Sequence, residues 1–347
     1  MKAVQLSGKE KITINEVPLP KISEKEVLIK VRAASICGTD VRMYKNGYPT
    51  ATEQQPLTLG HEIAGDIVEV GSEVAFYNPG MRVAVAPNMG CGICDACVSG
   101  STHLCENYEA FGINLPGGFA EYLLVPEKAV RQGNISLIPD ELSYEEAALI
   151  EPFSCVYNGQ EIAQNYAGDT VLIIGSGPIG LMHALLAKAR GAGKIMMNDL
   201  SRERLMEAKS RIPDLVILDS EQLKERVFEE TSGKGVDLCI IAAPAPQAQE
   251  ASFDYMAVNG RCLFFGGLPK EKEQVRLNTN VLHYKQLRVY GCTRASLMGY
   301  RTCAQLVASG RIPLKELITQ TYRIDQFEAA LKNAKNAVGL KNVIIFD

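Results

Sequence analysis

The sequence predicts an α/β protein in which a β-rich domain is interrupted by an inserted domain with a doubly wound parallel sheet. Three observations predict this. The chain has 347 residues, more than one ordinary core requires. Up to about residue 150 it consists of short strands and turns, and from about 155 apolar strands alternate with helices. We expect the first domain to comprise residues 1–155 and 295–347, and the inserted domain residues 156–294.

The first domain is predicted from runs in which apolar and polar residues alternate. Five such runs are expected to be strands: KAVQL, KITINEV, EVLIKVRAAS, EIAGDIVEVG and MRVAVA. No long helical periodicity interrupts them. The end of the chain adds a helix (MGYRTCAQLVASG), a short strand and the strand NVIIFD, which we expect to return to this domain.

The inserted domain is predicted from continuous apolar strands with helices between them. The strands are TVLIIG, KIMMND, LVILD, VDLCIIAA, GRCLFFGG and QLRVYGC. The helices are LMHALLAKARG, SRERLMEAKSR and EQLKERVFEETSG. Strands that are apolar throughout and joined by helices are typical of a parallel sheet covered on both faces.

Composition excludes several classes of function. The formal net charge is −4, with both signs mixed along the chain, which argues against a nucleic-acid partner. The N-terminal residues alternate like a strand instead of forming a signal peptide, and no apolar run is long enough to cross a membrane. We therefore expect a cytoplasmic protein with reduced thiols and no membrane partner.

Four of the ten cysteines lie within the fifteen residues CGICDACVSGSTHLC. Two disulfides, a redox pair and a metal site are the alternatives. Reduced thiols favour the metal site, and four thiolates complete a tetrahedral zinc shell with no position left for substrate. We predict structural zinc at Cys91, Cys94, Cys97 and Cys105. The remaining cysteines apart from Cys37 are predicted to be small core residues: Cys155, Cys239, Cys262, Cys292 and Cys303.

A G-x-G-x-x-G motif lies between the strand TVLII and a helix, and its context predicts a dinucleotide site. Gly175 would form the tight turn, Gly177 would admit the pyrophosphate, and Gly180 would let the helix pack closely on the strand. The intervening residues Pro178 and Ile179 begin the helix whose N-terminus would face the phosphates. A glycine turn without a ligand is the structural alternative.

An acidic residue follows this motif at the spacing expected of a ribose-binding group. Asp199 ends the next predicted strand, 19 residues after Gly180. A carboxylate there would bind the ribose hydroxyls and repel a 2′-phosphate, so NAD is favoured over NADP. Arg202 and Arg204 follow closely and could soften this preference; we include Arg204 among the cofactor-binding candidates.

A second group of potential metal ligands is spread along the chain. Cys37 follows a predicted strand, and His61 and Glu62 begin another. Glu151 lies at the junction between the strand-rich part of the chain and the part in which strands alternate with helices. Each of these alone has an ordinary structural explanation. Together they offer sulfur, nitrogen and oxygen, the mixture that binds catalytic zinc with one position open.

The motifs CGTD, GHE, the four-cysteine loop, GGFAEY, EP and GSGPIG, in this order, resemble the zinc-dependent medium-chain dehydrogenases, and most closely their polyol branch. The resemblance covers essentially the whole chain. It implies a GroES-like catalytic domain and an inserted Rossmann domain. It also implies two zinc ions per chain, one catalytic and one structural, and oxidation of a sugar alcohol or its phosphate with NAD.

The same resemblance implies roles for individual residues. Cys37, His61 and Glu62 would bind the catalytic zinc, and Glu151 would bind it directly or through water. Thr39 would relay the proton of the substrate alcohol, whose hydride passes to nicotinamide. Zinc and cofactor must reach one carbon, so we expect the site in the cleft between the domains.

The chain departs from these relatives at the end of the proton relay. Many relatives have histidine five residues after the first zinc cysteine, whereas this chain has Arg42, which cannot act as a base at neutral pH. Water would then complete the relay, or Arg42 would face an anion. A phosphate on the substrate would be bound by basic side chains, for which Arg42, Lys45 and Arg294 are the candidates, with solvated surface positions as the alternative, above all for Lys45. Arg294 is included because it comes just after the strand LRVYGC, where the polyol relatives have an arginine on the substrate side.

Two other functions remain open. One is the oxidation of an amino alcohol, as in L-threonine 3-dehydrogenase. The other is a non-catalytic, quinone-reductase-like nucleotide-binding protein, which would lack the catalytic zinc. Family members form homodimers or homotetramers, so we expect one of these assemblies.

Overall fold

A computed structural model describes all residues, 1–347, as two compact units. One unit contains residues 1–154 and 295–347, and the other contains residues 155–294. No helix is both long enough and apolar enough to span a membrane.

The N-terminal part of the chain is rich in short strands. Its strands are β1 (Lys2–Gly8), β2 (Lys11–Glu16), β3 (Val27–Ser35), β4 (Leu57–Thr58), β5 (Glu62–Val70), β6 (Arg82–Val85), β7 (Asn88–Met89), β8 (Glu109–Ala110), β9 (Tyr122–Val125) and β10 (Ile135–Leu137). Its helices are α1 (Gly38–Asn46), α2 (Asp95–Val98), α3 (Glu127–Gln132), α4 (Tyr144–Ala148) and α5 (Ile150–Ile162).

The middle of the chain alternates strands with helices. Its strands are β11 (Thr170–Ile174), β12 (Lys194–Asn198), β13 (Val216–Leu218), β14 (Val236–Ile241), β15 (Met256–Phe264) and β16 (Arg288–Gly291). Its helices are α6 (Pro178–Ala189), α7 (Arg202–Arg211), α8 (Leu223–Glu230), α9 (Pro246–Ala251) and α10 (Thr279–Tyr284). The C-terminal part contains α11 (Leu297–Ala308), β17 (Ile318–Arg323), α12 (Phe327–Lys335) and β18 (Lys341–Ile345).

The first unit is built on a seven-stranded sheet that joins both ends of the chain. Its main path is β10-β6-β5-β3-β18-β17, and β9 also pairs with β3. The strands β2, β1 and β4 form a second, three-stranded sheet. Phe119 and Phe327 meet edge to face in the core, with ring centroids 4.8 Å apart, and both are fully buried. Burying each such side chain contributes about 1.5–3 kcal/mol, so this contact helps to attach α12 to the N-terminal strands.

The second unit is a doubly wound parallel sheet with the strand order β13-β12-β11-β14-β15-β16. From β11 the chain adds β12 and β13 on one side, and it then returns to add β14, β15 and β16 on the other side. The strand order therefore reverses beside β11. Ligands of such sheets bind at this switch point, beyond the carboxyl ends of the strands. The loop from Gly175 to Gly177 lies there, directly after β11.

The five cysteines that were predicted to be core residues differ in burial. Cys239 and Cys262 are fully buried as neighbours on β14 and β15, and Cys303 is buried in α11. Cys155 and Cys292 are only half-buried. All ten cysteines are free thiols in this structure, and none forms a disulfide.

Candidate active site

The register of β3 and β5 brings the predicted metal ligands of the first unit together. The two strands run antiparallel, and Ser35 at the end of β3 lies opposite Glu62 at the start of β5. Cys37 follows Ser35 by two residues and is the N-cap of α1, while His61 directly precedes Glu62. The sheet therefore places a thiol, an imidazole and a carboxylate at one point.

Cys37, His61 and Glu62 form a group that could hold one metal ion. A ligand atom of each lies within 4.8 Å of the others. Glu62 is fully buried and His61 nearly so, and the Glu62 Oε1 atom has no hydrogen-bond partner. A buried carboxylate oxygen without a partner is costly, and a cation would satisfy it. The sulfur, nitrogen and oxygen donors also match the ligand types of zinc.

Asp40 lies beside this group, although the sequence interpretation gave it no role. It is fully buried in the first turn of α1, and its Oδ2 accepts a hydrogen bond from the Cys37 main-chain nitrogen at 2.8 Å. Its Oδ1 lies 3.7 Å from His61 Nδ1. The Nδ1 edge of the imidazole thus faces a carboxylate, which leaves Nε2 on the other edge as the natural metal ligand.

Negative charge is concentrated around His61. Burial of the ring acts to lower its pKa, but the charges of Cys37, Asp40 and Glu151, with a hydrogen bond to Cys37, outweigh burial and raise the pKa well above its ordinary value. Burial also raises the pKa of Asp40, against the opposing charge of His61. A buried group of acidic ligands that stabilises positive charge on a neighbour is electrostatically suited to hold a cation.

Glu151 and Tyr300 lie close enough to influence this cluster. Glu151 is buried in the first turn of α5, and its charge acts on His61 and Tyr300. It is not among the three residues whose ligand atoms lie within 4.8 Å of one another. Tyr300, on α11, has a buried hydroxyl without a hydrogen-bond partner. Burial, and then the charges of Glu151, Cys303 and Glu62, raises the Tyr300 pKa well above its usual range, so this hydroxyl stays protonated.

Thr39 and Arg42 are joined by a hydrogen bond on α1. Arg42 is exposed, and its Nη2 donates to Thr39 Oγ1 at 3.1 Å. A hydroxyl has two lone pairs and one proton, so this contact leaves Thr39 one acceptor position and its own O–H. The predicted relay residue is therefore in contact with the arginine that replaces the usual histidine.

The four clustered cysteines have the geometry of a tetrahedral thiolate site. Their four sulfur atoms lie within 4.8 Å of one another. The sulfurs of Cys91 and Cys97 are 4.0 Å apart, and those of Cys94 and Cys105 are 3.8 Å apart. Zinc–sulfur bonds of about 2.3 Å in a tetrahedron place sulfurs about 3.8 Å apart, so the cluster fits zinc. Main-chain amides of Ile93 and Cys94 lower the pKa of the Cys91 thiol to about 6, which favours its thiolate.

In the second unit, the glycine motif has the backbone that close approach of a phosphate requires. Gly175 has φ of 107°, a conformation that disfavours other residues. A Cβ on Gly180 would lie 1.9 Å from the Gly175 carbonyl oxygen, whereas a Cβ on Gly177 would meet nothing within 4 Å. Gly177 is the N-cap of α6, with Pro178 and Ile179 as the first helical residues. The N-terminus of α6 therefore faces open space that a pyrophosphate could occupy.

Asp199 follows β12 and is fixed beside this loop. Its Oδ2 accepts hydrogen bonds from the main-chain nitrogen and the hydroxyl of Ser176. Arg202 pairs with Asp219 at 2.6 Å, and the main-chain nitrogen of Arg204 is bound by the capping Ser201 hydroxyl. Arg294 also lies in the second unit, and its carbonyl accepts a hydrogen bond from Asn158 at 3.0 Å.

Comparison with known proteins assigns the chain to a family. Residues 23–136 match the alcohol dehydrogenase GroES-like domain, and residues 178–309 match the zinc-binding dehydrogenase domain. The chain is 37% identical to sorbitol dehydrogenase of Bacillus subtilis over 337 residues, which are 96% of this chain and 93% of that protein. The chain belongs to the zinc-dependent medium-chain dehydrogenases. Its similarity lies with their polyol branch, as the motifs predicted.

Two further comparisons bear on this dehydrogenase. It is 32% identical to L-threonine 3-dehydrogenase of Yersinia enterocolitica in an alignment of 351 positions that covers 100% of each chain. A zinc-binding dehydrogenase of Sinorhizobium meliloti 1021, bound to NADP, has a TM-score of 0.90 and 31% identity over 99% of each chain. The predicted fold class and the predicted zinc and nicotinamide cofactors of the family are thereby confirmed.

The sequence interpretation missed three buried residues near the group of Cys37, His61 and Glu62. They are Asp40, Tyr300 and Lys341. Only Asp40 had a local signal, because an acid three residues after an N-cap commonly binds the N-cap nitrogen. Tyr300 and Lys341 come from the far end of the chain, where no motif points to the site.

Proposed function

We propose that this dehydrogenase oxidises a secondary alcohol of a sugar alcohol, free or phosphorylated, to a ketone and reduces NAD. The observation that carries the proposal is the buried group of Cys37, His61 and Glu62, with one carboxylate oxygen unpaired. The similarity to sorbitol dehydrogenase supports a polyol as substrate.

Cys37, His61 and Glu62 would hold the catalytic zinc, with Glu151 as a nearby fourth group. Bound zinc supplies a Lewis acid that favours ionisation of an alcohol, and bound NAD accepts the hydride from the carbinol carbon. The Asp40 carboxylate lies 3.7 Å from the Nδ1 edge of His61, so Nε2 would be the nitrogen that binds the metal. The closed shell of Cys91, Cys94, Cys97 and Cys105 would hold the second zinc and take no part in the reaction.

Thr39 would receive the alcohol proton on its hydroxyl. Arg42 donates to Thr39 Oγ1, and a guanidinium cannot take up a further proton. The O–H of Thr39 must therefore pass its proton to water or to a ribose hydroxyl of the cofactor. Arg42 stays positively charged throughout, so the same side chain is also suited to attract an anionic substituent on the substrate.

The glycine loop and Asp199 would bind and orient the cofactor. The Asp199 carboxylate would accept hydrogen bonds from the adenosine ribose and repel the 2′-phosphate of NADP, which favours NAD. The NADP complex of the relative from Sinorhizobium meliloti makes this preference a point to be tested in this chain.

The assembly and compartment are further parts of the proposal. We expect a homodimer or homotetramer, and the edge strand β16 offers unpaired main-chain groups for an edge-to-edge contact. We expect the cytoplasm as the compartment, because four free thiols arranged for zinc require reducing conditions.

Oxidation of L-threonine is the second candidate, and the full-length similarity to L-threonine 3-dehydrogenase favours it. A screen of NADH formation with sorbitol, xylitol, their phosphates and L-threonine distinguishes the two, with and without a zinc chelator. The proposal predicts chelator-sensitive activity on a polyol or its phosphate. Activity on L-threonine alone would establish the second candidate, and no activity with one zinc per chain would indicate a non-catalytic nucleotide-binding protein.

The proposed relay is tested with a matched pair of variants. Thr39→Val removes the hydroxyl and should lower kcat at least about 100-fold, because proton transfer by a positioned group contributes about 10²–10⁴-fold. Thr39→Ser keeps a hydroxyl and should retain most of the activity. Equal activity of the two variants would contradict the relay.

A further inference from the structure

Lys341 is a buried lysine in contact with a proposed metal ligand. It is the first residue of β18, and only 5% of its surface is exposed. Its Nζ donates to Glu62 Oε2 at 2.5 Å and to the Ile36 carbonyl oxygen at 3.0 Å. Lysine is almost never buried unless it is paired, because removing an ammonium from water is costly. The cost of burying this ammonium group is therefore offset by its contact with the Glu62 carboxylate.

The strand register explains how a residue from the end of the chain reaches this position. Ser35 of β3 lies opposite Glu62 of β5 on one side and opposite Val343 of β18 on the other. The main-chain nitrogen of Ile36 also donates to the Asn342 carbonyl at 2.9 Å. Lys341 thus extends from a strand that is hydrogen-bonded to the segment leading into Cys37.

The contact with Lys341 makes the two oxygens of the Glu62 carboxylate inequivalent. Oε2 is bound to the ammonium, whereas Oε1 is buried and has no hydrogen-bond partner. A carboxylate fixed through one oxygen presents the other in a defined direction. The ammonium also neutralises part of the charge that Glu62 would offer to a cation.

We infer that Lys341 is a positioning residue that fixes the orientation of the Glu62 carboxylate before zinc binds, and that its charge then competes with zinc for this carboxylate. The inference rests on the proposed role of Glu62 as a zinc ligand. Lys341 thereby pre-organises the site for the metal, and it also makes Glu62 a weaker zinc ligand than it would be without the ammonium group. A weaker ligand leaves more positive character on the metal for polarising the substrate.

The inference predicts opposite effects of Lys341→Met on folding and on zinc affinity. Without zinc, the variant leaves a fully buried carboxylate unpaired, so its urea midpoint should fall. With zinc bound, the metal replaces the lost charge, so the decrease should be much smaller. By linkage the folded variant should bind zinc at the catalytic site more tightly, by about tenfold or more, since a unit charge near a cation has been removed.

The measurement is a comparison of urea unfolding for chelator-treated and zinc-loaded protein, with zinc affinity determined by competition against a chromogenic chelator. Lys188→Met is the control, because it removes an exposed ion pair with Asp214 and should affect both forms equally. Cobalt-substituted protein provides a second readout, since the visible spectrum should shift in Lys341→Met and stay unchanged in Lys188→Met.

A double variant covers the case in which Lys341→Met alone does not fold. Adding Glu62→Gln removes the unpaired charge, so the double variant should fold without zinc and recover much of the lost stability. Failure of the double variant to fold would overturn the inference. So would an equal loss of stability with and without zinc, or weaker zinc binding by Lys341→Met. None of these readouts uses a substrate, so a protein that oxidises no polyol could still support the role of Lys341.

Discussion

Asp199 accepts two hydrogen bonds from Ser176, one from its main-chain nitrogen at 2.7 Å and one from its hydroxyl at 2.9 Å. Ser176 lies in the glycine loop after β11, whereas Asp199 follows the neighbouring strand β12. The other carboxylate oxygen of Asp199 accepts from the Ser201 main-chain nitrogen at 2.9 Å. The acid is therefore held rigidly beside the loop that would bind the pyrophosphate.

Replacing Asp199 with Asn should reduce the preference for NAD. The amide keeps one acceptor oxygen but loses the charge that repels a 2′-phosphate and strengthens hydrogen bonds to the ribose. Hydrogen bonds to charged groups contribute about 1.5–3 kcal/mol, so the ratio of kcat/KM for NAD over NADP should fall at least about tenfold. Steady-state kinetics with both cofactors measure this ratio. An unchanged ratio would show that Asp199 does not select the cofactor.

Two glycines of the motif should respond differently to alanine. Gly177→Ala meets no protein atom within 4 Å, so thermal stability should be unchanged while NAD affinity falls, because the methyl group would occupy the pyrophosphate position. Gly180→Ala would place a methyl group 1.9 Å from the Gly175 carbonyl, so it should lower the melting temperature. Calorimetry of unfolding and of NAD binding tests the pair. Full NAD affinity in a stable Gly177→Ala protein would contradict the proposed cofactor site.

Buried His183 should make the second unit sensitive to acid. Burial, with a smaller effect of Arg190, lowers its pKa from 6.5 to about 3. Between these values the unfolded chain binds a proton that the folded chain does not. Stability should therefore be fully present above pH 6.5 and fall as the pH drops towards 3, by up to about 1.4 kcal/mol per pH unit from this group.

Urea unfolding of His183→Gln at several values of pH between 6.5 and 4 tests this expectation. The variant should show a flatter dependence of unfolding free energy on pH than the original protein. His283→Gln is the control, because His283 is exposed on α10 and its replacement should leave the dependence unchanged. If the unfolding free energies of the original protein and of His183→Gln depended on pH in the same way, His183 would not be the source of the acid sensitivity.

Sequence patterns predicted those parts of the structure that depend on local order. The strands of the second unit and the glycine motif follow from runs of apolar residues and from backbone requirements at Gly175 and Gly180. The two compact units divide the chain between residues 154 and 155 and between residues 294 and 295, which supports the domain boundaries that we propose. Helix α1 was not predicted, because only Asp40 and Met43 of its nine residues are buried and no apolar stripe marks it.

Contacts between distant parts of the chain could not be predicted in the same way. Lys341 begins a run that is otherwise typical of a buried strand, and nothing in the sequence indicates that it binds Glu62, 279 residues away. That contact depends on the register of β18 against β3. The position of Tyr300 likewise depends on how α11 packs, and the contact between Arg42 and Thr39 depends on side-chain orientation within one turn.

Cys37, His61 and Glu62 are proposed to bind one zinc ion, and the four clustered cysteines are proposed to bind another. The two sites are distinguished by the zinc content of three cysteine variants, determined by mass spectrometry of intact folded protein. Cys292 is the control, because burial raises its pKa to about 12 and keeps it a thiol. We expect two zinc ions per chain in Cys292→Ser and one in each of Cys37→Ala and Cys97→Ser, with turnover abolished in Cys37→Ala. Two zinc ions per chain together with undiminished turnover in Cys37→Ala would show that Cys37 does not bind a catalytic zinc.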